Sequence, residues 1–379
     1  MKRRIKVLQL QNYYNVNASD LAEQIIQALP VEDYEVTTAF LRGRPGPGEP
    51  VSKAEHSQYF GFSKKATGGM RLRVLWRLYK HCREHGYDAV IAHRFKPINI
   101  FLVLGRWLNV SAFIGIAHGF GEYERWYRRW ETRRLLTSAW RLVGVSRAVR
   151  EYLVGSDAGF NEANTRQINN AIDIQRAEAL QHPRDKAREL LGLPSDEFIF
   201  GTIGRLVPVK GHIYLLEAFA ELKSADARLA IIGEGRSRAD LEAAIERLGL
   251  QGRVHLLGAK DDALQYVRAF DVFVMPSLSE GLPLALLEGM SAHLPVVGSD
   301  IPSLMPILQD CGGRIFPVGQ SGALAERLRE LLAMSAEDRV AEGERAYAYL
   351  CEAHDIQEFR RQYRELLEEM LKTSEVGRA

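Results

Sequence analysis

The chain has 379 residues, long enough for two domains, and its 46% hydrophobic and 26% charged residues are ordinary for a globular enzyme. The formal net charge of +2 hides an asymmetry, because residues 1–175 contain 26 Lys and Arg against 16 Asp and Glu, whereas the rest contains 24 against 32. The basic first half favours an anionic partner, such as a phosphorylated acceptor, a membrane surface or a nucleic acid, over an uneven spread of solvated charge.

Three classes of protein are disfavoured by the same inspection. The three cysteines are few and widely spaced, which argues against a disulfide framework or a metal cluster. No stretch approaches the ~20 apolar residues of a membrane-spanning helix. The first apolar run is too short for a signal peptide, so a cytoplasmic location is expected.

In the first half, strand and helix patterns alternate along the chain. Strands are predicted at residues 5–10, 34–40, 89–93, 113–117, 142–145 and 165–169. Helices are predicted at 21–29, 70–85, 98–108 and from Ser146, whose hydroxyl can cap the helix that follows it. The segment 42–50 holds three Gly and three Pro and is predicted to be a loop.

The second half repeats the alternation after a predicted interdomain link at 171–185. Strands are predicted at 198–203, 228–232, 254–256, 272–275 and 296–298. Helices are predicted at 213–223, 239–248, 284–292 and, as a charged amphipathic tail, 356–371. This alternation predicts an α/β fold with parallel sheets.

The segment 201–212 has the pattern of an anion-binding turn between a strand and a helix. Gly204 ends the predicted strand, Arg205 and Lys210 supply two cations, and Gly211 precedes the helix. Glycine lets the backbone approach a ligand closely, and two cations beside a helix N-terminus suit a diphosphate. The glycine spacing is neither that of a Walker loop nor that of a dinucleotide fingerprint. The alternative is that both cations form surface ion pairs.

Two glutamates follow the predicted strand 272–275. Pro283 lies at a favourable early position of the next helix, and a tight turn before it would place Glu280 and Glu288 near one face. Ligands bind at the carboxyl ends of strands in such folds, where carboxylates can accept hydrogen bonds from sugar or ribose hydroxyls. The alternative for Glu288 is a helix-surface acid, but the surrounding helix is otherwise apolar, and a lone buried acid is costly without a partner.

Four motifs within residues 198–300 share the order and spacing of one known family. They are Gly204-Arg205 with Lys210-Gly211, Gly233-Glu-Gly235, Val254-His-Leu-Leu-Gly258, and the Glu-x7-Glu pair of Glu280 and Glu288. On these motifs the chain resembles the retaining glycosyltransferases of family 4, which have the GT-B fold. The resemblance implies two Rossmann-like domains whose parallel sheets face a central cleft. Residues 1–172 would bind the acceptor, 173–354 would bind a nucleotide-sugar donor, and a helix in 355–379 would pack back on the first domain.

The resemblance also implies a role for each donor-side residue. Arg205 and Lys210 would hold the donor diphosphate, Glu280 would contact the sugar and Glu288 the ribose. The remaining donor-side residues would form the backbone around the sugar, the phosphates and the base: Gly204, Gly233, Gly235, Leu257, Gly281, Leu282 and Pro283.

The first half matches the family less closely. His118 stands where the family has a histidine near the reacting sugar, so it is expected to be catalytic together with Arg205, Lys210 and Glu280; the alternative is a core or capping histidine. His93 ends a predicted strand and, with Arg94, is expected at the acceptor.

The loop after the first strand departs from the family pattern. It lacks the family's glycine pair, and we expect the side chains of Asn15 and Asn17 to replace the missing backbone contacts with the acceptor or a phosphate.

The resemblance implies a metal-free, retaining reaction without a cofactor. The donor would be a nucleoside-diphosphate sugar, a UDP-sugar first of all, and the acceptor a glycan or lipid-linked glycan. The sequence agrees, because it has no Asp-x-Asp and no His/Cys cluster with ligand spacing. Fixed cations and helix dipoles would stabilise the departing diphosphate. The expected setting is lipopolysaccharide or other cell-envelope polysaccharide assembly at the inner face of the cytoplasmic membrane.

The segments 71–77 and 123–134 are rich in Arg and aromatic residues. This composition predicts a basic, aromatic surface for a peripheral membrane contact. The alternative is an ordinary helix with its Trp residues packed inward. Nucleic-acid binding is not expected, because no recognition motif accompanies the charge.

Three other functions remain as alternatives. A nucleotide-sugar epimerase would share the fold but need no second substrate. A non-catalytic sugar-nucleotide-binding subunit would fit the unusual first loop, although the complete Arg/Lys/Glu/Glu set argues against it. An NAD-dependent dehydrogenase is disfavoured, because no glycine fingerprint follows the first strand of either half.

Overall fold

A computed structural model describes residues 3–16, 21–222 and 227–376 of the chain. The chain divides into two compact units, one made of Met1–Asn170 with Ile356–Ala379 and the other of Ala171–Asp355. Among the described residues, no helix combines the length and the apolarity needed to cross a membrane.

The first unit contains a seven-stranded sheet in which every paired strand runs parallel to its neighbours. Its strands are β1 (Ile5–Gln11), β2 (Tyr34–Phe40), β3 (His56–Tyr59), β4 (Ala89–His93), β5 (Ala112–Ala117), β6 (Trp140–Gly144) and β7 (Thr165–Gln167). The spatial order is β3-β2-β1-β4-β5-β6-β7. All seven strands therefore end at one edge, where loops can build a site.

Five helices connect these strands. They are α1 (Leu21–Gln27), α2 (Leu72–His85), α3 (Phe95–Leu104), α4 (Trp126–Leu135) and α5 (Arg147–Gly155). The Ser146 hydroxyl caps α5, as predicted, by accepting the Val149 amide at 3.2 Å. A left-handed Gly86 ends α2, and its amide bonds the Cys82 carbonyl at 2.9 Å.

The second unit contains a six-stranded parallel sheet. Its strands are β8 (Phe198–Ile203), β9 (Ala227–Ile232), β10 (Val254–Leu256), β11 (Val272–Met275), β12 (Val296–Ser299) and β13 (Arg314–Phe316), in the order β10-β9-β8-β11-β12-β13. The chain order reverses between β8 and β11, and such a switch point is where ligands bind in doubly wound folds.

Helices and apolar clusters cover both faces of this second sheet. The helices are α6 (Ile174–Leu180), α7 (Arg184–Leu191), α8 (His212–Ala220), α9 (Arg238–Arg247), α10 (Leu284–Ser291), α11 (Met305–Cys311), α12 (Ser321–Ala333) and α13 (Ala336–Ala353). The last helix, α14 (Ile356–Val376), belongs to the first unit, where it packs on α1 and β5.

The predicted α/β class with two parallel-sheet Rossmann-like units is confirmed. The predicted elements also differ from the structure in places. The short edge strands β3 and β13 were not predicted, and the helix expected at 98–108 begins three residues earlier, at Phe95, and ends at Leu104. The segment 171–185 is not an open link, because it contains α6 and belongs to the second unit.

Candidate functional site

Loops at the carboxyl edge of the second sheet are held together by backbone hydrogen bonds. The loop after β8 bonds the loop after β11 through the Leu278 amide and the Val209 carbonyl at 2.8 Å. It also bonds the loop after β9, where the Leu206 amide meets the Glu234 carbonyl at 2.9 Å. The segment after β10 joins them, since the Gly233 amide donates to the Gly258 carbonyl at 2.9 Å. Four strands thus contribute to one continuous surface.

Two glycines allow this close approach. A Cβ at Gly211, whose φ is 69°, would lie 1.9 Å from the Pro276 carbonyl oxygen. A Cβ at Gly233 would lie 1.9 Å from the Gly204 carbonyl oxygen. Gly204 differs, because a Cβ there would meet nothing closer than the Lys210 side chain at 3.7 Å. Its backbone is therefore open to a ligand, while the other two glycines are required by packing.

Lys210 and Glu280 form an ion pair at this edge. Lys210 ends a short 3-10 helix (Pro208–Lys210), and its Nζ lies 2.6 Å from Glu280 Oε1. Their side chains keep only 16% and 13% of their exposure, so water screens the pair weakly. The ammonium has three donors, so it can bind Glu280 and a further oxygen simultaneously. The ion pair considered as the alternative for Lys210 thus forms, and its partner Glu280 is itself a predicted site residue.

Arg205 is exposed and forms no ion pair with any carboxylate in the described ranges. It directly follows Gly204 and lies five residues before Lys210, the last residue of the short 3-10 helix. Gly211, in a left-handed conformation, separates Lys210 from α8. This helix begins at His212 and has no side-chain cap. The uncapped first-turn amides and the two cations form a surface that favours an anion.

Glu288 differs from Glu280 in its surroundings. It lies in the second turn of α10 and is partly buried, and its carboxyl has no hydrogen-bond or ion-pair partner among the residues that the structure describes. Burial raises the pKa of this carboxyl to about 7, the charge of Asp262 adds to the rise, and Lys210 opposes it. The structure thus leaves a partly buried carboxyl unsatisfied beside the ion pair's lysine, as expected of a ligand-binding group.

The other donor-side residues lie in the same loops. Pro283 is the last residue before α10 rather than its first helical residue, so Glu280 lies in the preceding loop and not two helical turns from Glu288. Gly281 and Leu282 lie between Glu280 and Pro283, and each interacts with another residue. Gly235 approaches Leu206, and Leu257 follows β10, where its amide bonds the Ile231 carbonyl at 2.9 Å.

His93 and His118 form a pair at the carboxyl ends of β4 and β5 in the first unit. His93 Nδ1 lies 3.2 Å from His118 Nε2. Burial is the main cause that lowers both pKa values, to about 3 for His93 and well below the ordinary value for His118. Both rings are therefore neutral at pH 7, so one must donate to the other. His93 Nε2 is buried and has no partner in the described chain.

The remaining acceptor-side residues are less closely grouped. Arg94 is exposed next to the histidine pair and adopts a φ of 67°, which is unusual for a residue with a side chain. Asn15 is exposed and hydrogen-bonds no other described residue. Asn17 lies outside the described residues.

Two further polar residues at these edges were not singled out from the sequence. His212 begins α8 directly after the predicted phosphate-binding turn; burial lowers its pKa to about 4, and its Nδ1 is buried without a partner in the described chain. Glu122 is a partly buried acid whose Oε1 accepts the Phe95 amide at 3.2 Å, and burial raises its pKa. The position of His212 next to Gly211 was the available sequence signal, whereas nothing local marked Glu122.

The tryptophans of the two basic, aromatic segments are exposed. Trp76 on α2 is 63% exposed, and Trp126 and Trp130 on α4 are 71% and 63% exposed. The alternative interpretation, in which these Trp residues pack inward, is wrong. Exposed aromatic and basic side chains therefore coincide on this unit.

No group of three or more His, Cys, Asp or Glu side chains within the described ranges is arranged to hold a metal ion. Metal independence stays a prediction.

Comparisons with known proteins identify related chains. Residues 183–349 match the family model described as Glycosyl transferases group 1, and residues 19–176 match Glycosyltransferase Family 4. A curated relative from Escherichia coli, named UDP-Gal:alpha-D-GlcNAc-diphosphoundecaprenol alpha-1,3-galactosyltransferase, is 28% identical over 61% of this chain and 62% of its own length. The chain thus spans about three fifths of that relative.

Solved structures match over nearly the whole chain. A glycosyltransferase from Rickettsia africae has a TM-score of 0.84 at 17% identity, covering 98% of this chain and 100% of that one. HepE of Anabaena, solved in complex with UDP-glucose, has a TM-score of 0.79 at 20% identity, covering 97% and 100%. The two family matches together extend over residues 19–349 apart from 177–182, and the chain belongs to the family 4 glycosyltransferases with the GT-B fold.

Proposed function

We propose that this protein transfers a sugar from a nucleoside-diphosphate sugar to a hydroxyl of a glycan or glycolipid, with retention of anomeric configuration and without a metal. The observation that carries the proposal is the Lys210–Glu280 pair at the start of α8, in a loop that also holds the exposed Arg205, which has no ion-pair partner among the described residues. Together they offer fixed positive charge to a diphosphate at the switch point of the second sheet.

The donor residues take the following roles. Arg205 and Lys210 bind the diphosphate, and Glu280, held by Lys210, accepts hydrogen bonds from the sugar. The unpaired Glu288 accepts from the ribose hydroxyls. The base lies beside Leu257, and the open backbone at Gly204 admits the phosphates.

The reaction breaks the bond between the anomeric carbon and the donor phosphate oxygen, and the nucleoside diphosphate leaves with the electron pair. The acceptor hydroxyl forms the new bond on the face from which the diphosphate departs, and its proton passes to the departing phosphate. Negative charge grows on the diphosphate as the bond breaks. Preorganised cations at Arg205 and Lys210 therefore stabilise the transition state more than the ground state.

The first unit supplies the acceptor side, with His118 near the reacting sugar and His93, Arg94, Asn15 and Asn17 around the acceptor. The His93–His118 contact fixes the second ring while both stay neutral. The E. coli relative's name couples a UDP-sugar to a lipid-linked diphosphate acceptor, and HepE was solved with UDP-glucose. These support a UDP-sugar donor and a lipid-linked acceptor. We place the reaction in cell-envelope polysaccharide or lipopolysaccharide assembly, in the cytoplasm at the inner face of the membrane.

Calorimetric titration with UDP in the presence of EDTA tests the proposal. Wild-type protein is expected to bind, and Lys210→Ala or Arg205→Ala to weaken binding roughly tenfold or more, since each removes a charged hydrogen bond. Turnover of a UDP-sugar by Lys210→Ala should fall roughly 100- to 1000-fold. Lys186→Ala is the matched control, because it also removes a lysine paired with a glutamate, at 2.9 Å on the surface of α7.

Three results would count against parts of the proposal. Binding lost on adding EDTA contradicts the metal-free reaction. A Lys210→Ala protein with normal affinity and turnover reduces the pair with Glu280 to a structural contact. An epimerised nucleotide sugar formed without any acceptor identifies an epimerase instead.

A further inference from the structure

A group of cations lies at the carboxyl edge of the first sheet without acidic partners. Arg42 follows β2 and Lys64 follows β3. Arg71 directly precedes α2, Lys96 lies in the first turn of α3 and Arg128 lies on α4. We call them the basic cluster. None forms an ion pair with a carboxylate in the part of the chain that the structure describes.

The start of α3 contacts two of these cations, Arg128 and Arg71. The Arg128 guanidinium lies 4.2 Å from the centre of the Phe95 ring and donates to the Glu122 carbonyl at 2.9 Å. Arg71 donates to the Asn99 side chain. Lys96 lies between these two contacts in sequence, in the first turn of α3. Cation–π and neutral hydrogen bonds thus position the guanidinium groups without cancelling their charge.

Acids near the cluster bind elsewhere. Glu131 accepts the Asn99 amide at 2.9 Å, and Glu122 accepts the Phe95 backbone amide at 3.2 Å. Neither approaches a cluster cation within 4.0 Å. The two carboxylates therefore bond α3 and attract Arg71 and Arg128 only at longer range.

Repulsion within the cluster reaches Lys96. Burial is the first cause that lowers the pKa of this lysine, and the charges of Arg42, Arg71, Lys64 and Arg128 lower it further. All four charges therefore act on Lys96. Cations gathered in this way destabilise the unliganded protein, and a bound anion would relieve the repulsion. Scattered, solvated surface charges would not converge on one partly buried lysine.

We propose that the basic cluster is a subsite for a phosphate or diphosphate group carried by the acceptor. The inference rests on the proposed transferase function and deepens it by naming the acceptor's chemistry. Several cations around one lysine match the charge of a diphosphate better than that of a neutral glycan. The group could be carried by a lipid or by a soluble phosphorylated sugar, and both present the same anion.

Calorimetry with pyrophosphate tests the subsite, in the presence of UDP at about ten times its dissociation constant to occupy the donor site. Lys96→Gln is expected to weaken pyrophosphate binding about tenfold or more, the loss of one charged hydrogen bond. Lys64→Gln, at an exposed loop position where misfolding is not a concern, should weaken it several-fold. UDP affinity should be unchanged in both variants.

Arg83→Gln is the control, because it removes an exposed cation at the opposite end of α2 that forms no ion pair with any residue in the described ranges. It should leave pyrophosphate affinity unchanged. Pyrophosphate binding that UDP abolishes, or that is as tight in Lys96→Gln as in wild type, overturns the subsite. Absence of UDP binding itself would instead refute the donor site, so the two failures are distinguishable.

Two further probes separate the sources of the phosphate. Farnesyl diphosphate that binds more tightly than pyrophosphate, and loses this affinity in Lys96→Gln, assigns the subsite to a lipid-linked acceptor. Equal affinities for farnesyl diphosphate, pyrophosphate and glucose 1-phosphate, all sensitive to Lys96→Gln, assign it to a soluble phosphorylated acceptor.

Discussion

Glu280 and Glu288 show how two identical side chains in one motif acquire different properties. Glu280 lies 2.6 Å from a lysine and is compensated. Glu288 is partly buried and has no such partner within the described residues, so its ionised form is disfavoured. The Glu280 carboxylate is compensated by Lys210, whereas the Glu288 carboxyl changes protonation close to pH 7.

We expect Glu288 to make folding stability depend on pH. Its pKa is raised in the folded state, so the folded protein keeps a proton that the unfolded chain loses. The stability that this proton contributes is fully present below the pKa of the unfolded chain and is lost as the pH rises through about 7. The loss amounts to about 3 kcal/mol. Glu288→Gln should remove the loss and be the more stable protein at about pH 8.

Urea denaturation of wild type and Glu288→Gln at about pH 5 and about pH 8 measures the effect. The difference between the two proteins is the relevant quantity, because His93, His118 and His212 have lowered pKa values and destabilise both proteins at acid pH. Glu246→Gln, at an exposed position of α9, is the control. A difference that does not change with pH would show that Glu288 is solvated.

At the scale of elements, most strands were predictable, but the two short edge strands β3 and β13 were not. The predictions for β2, β4, β8, β10 and β11 agree with the structure residue for residue. Three of these, β4, β8 and β11, lie inside their sheets and are mainly apolar, and an apolar run bounded by turn residues is a strong local signal for a strand. β3 reads His-Ser-Gln-Tyr, and its pairing with β2 is set by tertiary contact that local sequence does not encode.

The candidate site was predictable to a similar extent. The predicted donor loops were singled out because glycines, cations and acids recur at fixed spacing after strands. The Lys210–Glu280 contact joins residues seventy positions apart, and the His93–His118 contact joins residues from two neighbouring strands. Such pairings depend on strand order, which a single sequence leaves open. Of the basic cluster, Arg71 and Arg128 lay in the two basic, aromatic segments singled out from the sequence, whereas Arg42, Lys64 and Lys96 were part of the excess of charge in the first half.

A substitution at Gly211 tests how closely the loop after β8 packs on the loop after β11. Alanine there would carry a Cβ 1.9 Å from the Pro276 carbonyl oxygen at a φ of 69°. Gly249→Ala is the matched control, because its φ is 64° and no atom lies within 4 Å of the added Cβ. The control should lose about 1 kcal/mol for the left-handed backbone alone.

Gly211→Ala should lose clearly more, about 3 kcal/mol, because the loops after β8 and β11 must also separate. UDP affinity should fall with it, since Lys210 directly precedes the glycine. Chemical denaturation and calorimetry measure the two losses. Equal losses of stability in Gly211→Ala and Gly249→Ala would mean that the two loops can separate without a penalty in free energy.

At the scale of the whole molecule, charge and exposed aromatic groups coincide. The basic first half of the sequence also holds the exposed Trp76, Trp126 and Trp130. Met70 and Leu72, which are 81% and 67% exposed, lie close by at the start of α2. The acidic second half, by contrast, would be repelled by an anionic surface. We propose that the first unit contacts anionic lipid through α2 and α4, which would bring a lipid-linked acceptor to the basic cluster.

Flotation with anionic liposomes tests this contact. Indole rings partition into the interfacial region of a bilayer, and each Arg near an anionic surface adds about 1 kcal/mol of attraction. Wild-type protein should float with anionic but not with zwitterionic vesicles, and higher salt should release it, because exposed charges are screened within about 8 Å at physiological ionic strength. The double variant Trp126→Ser/Trp130→Ser should reduce the bound fraction several-fold. Trp107→Ser, at an equally exposed position beyond the far end of α3, should not. Binding that is insensitive to salt and to both Trp126 and Trp130 would exclude this surface as the membrane contact.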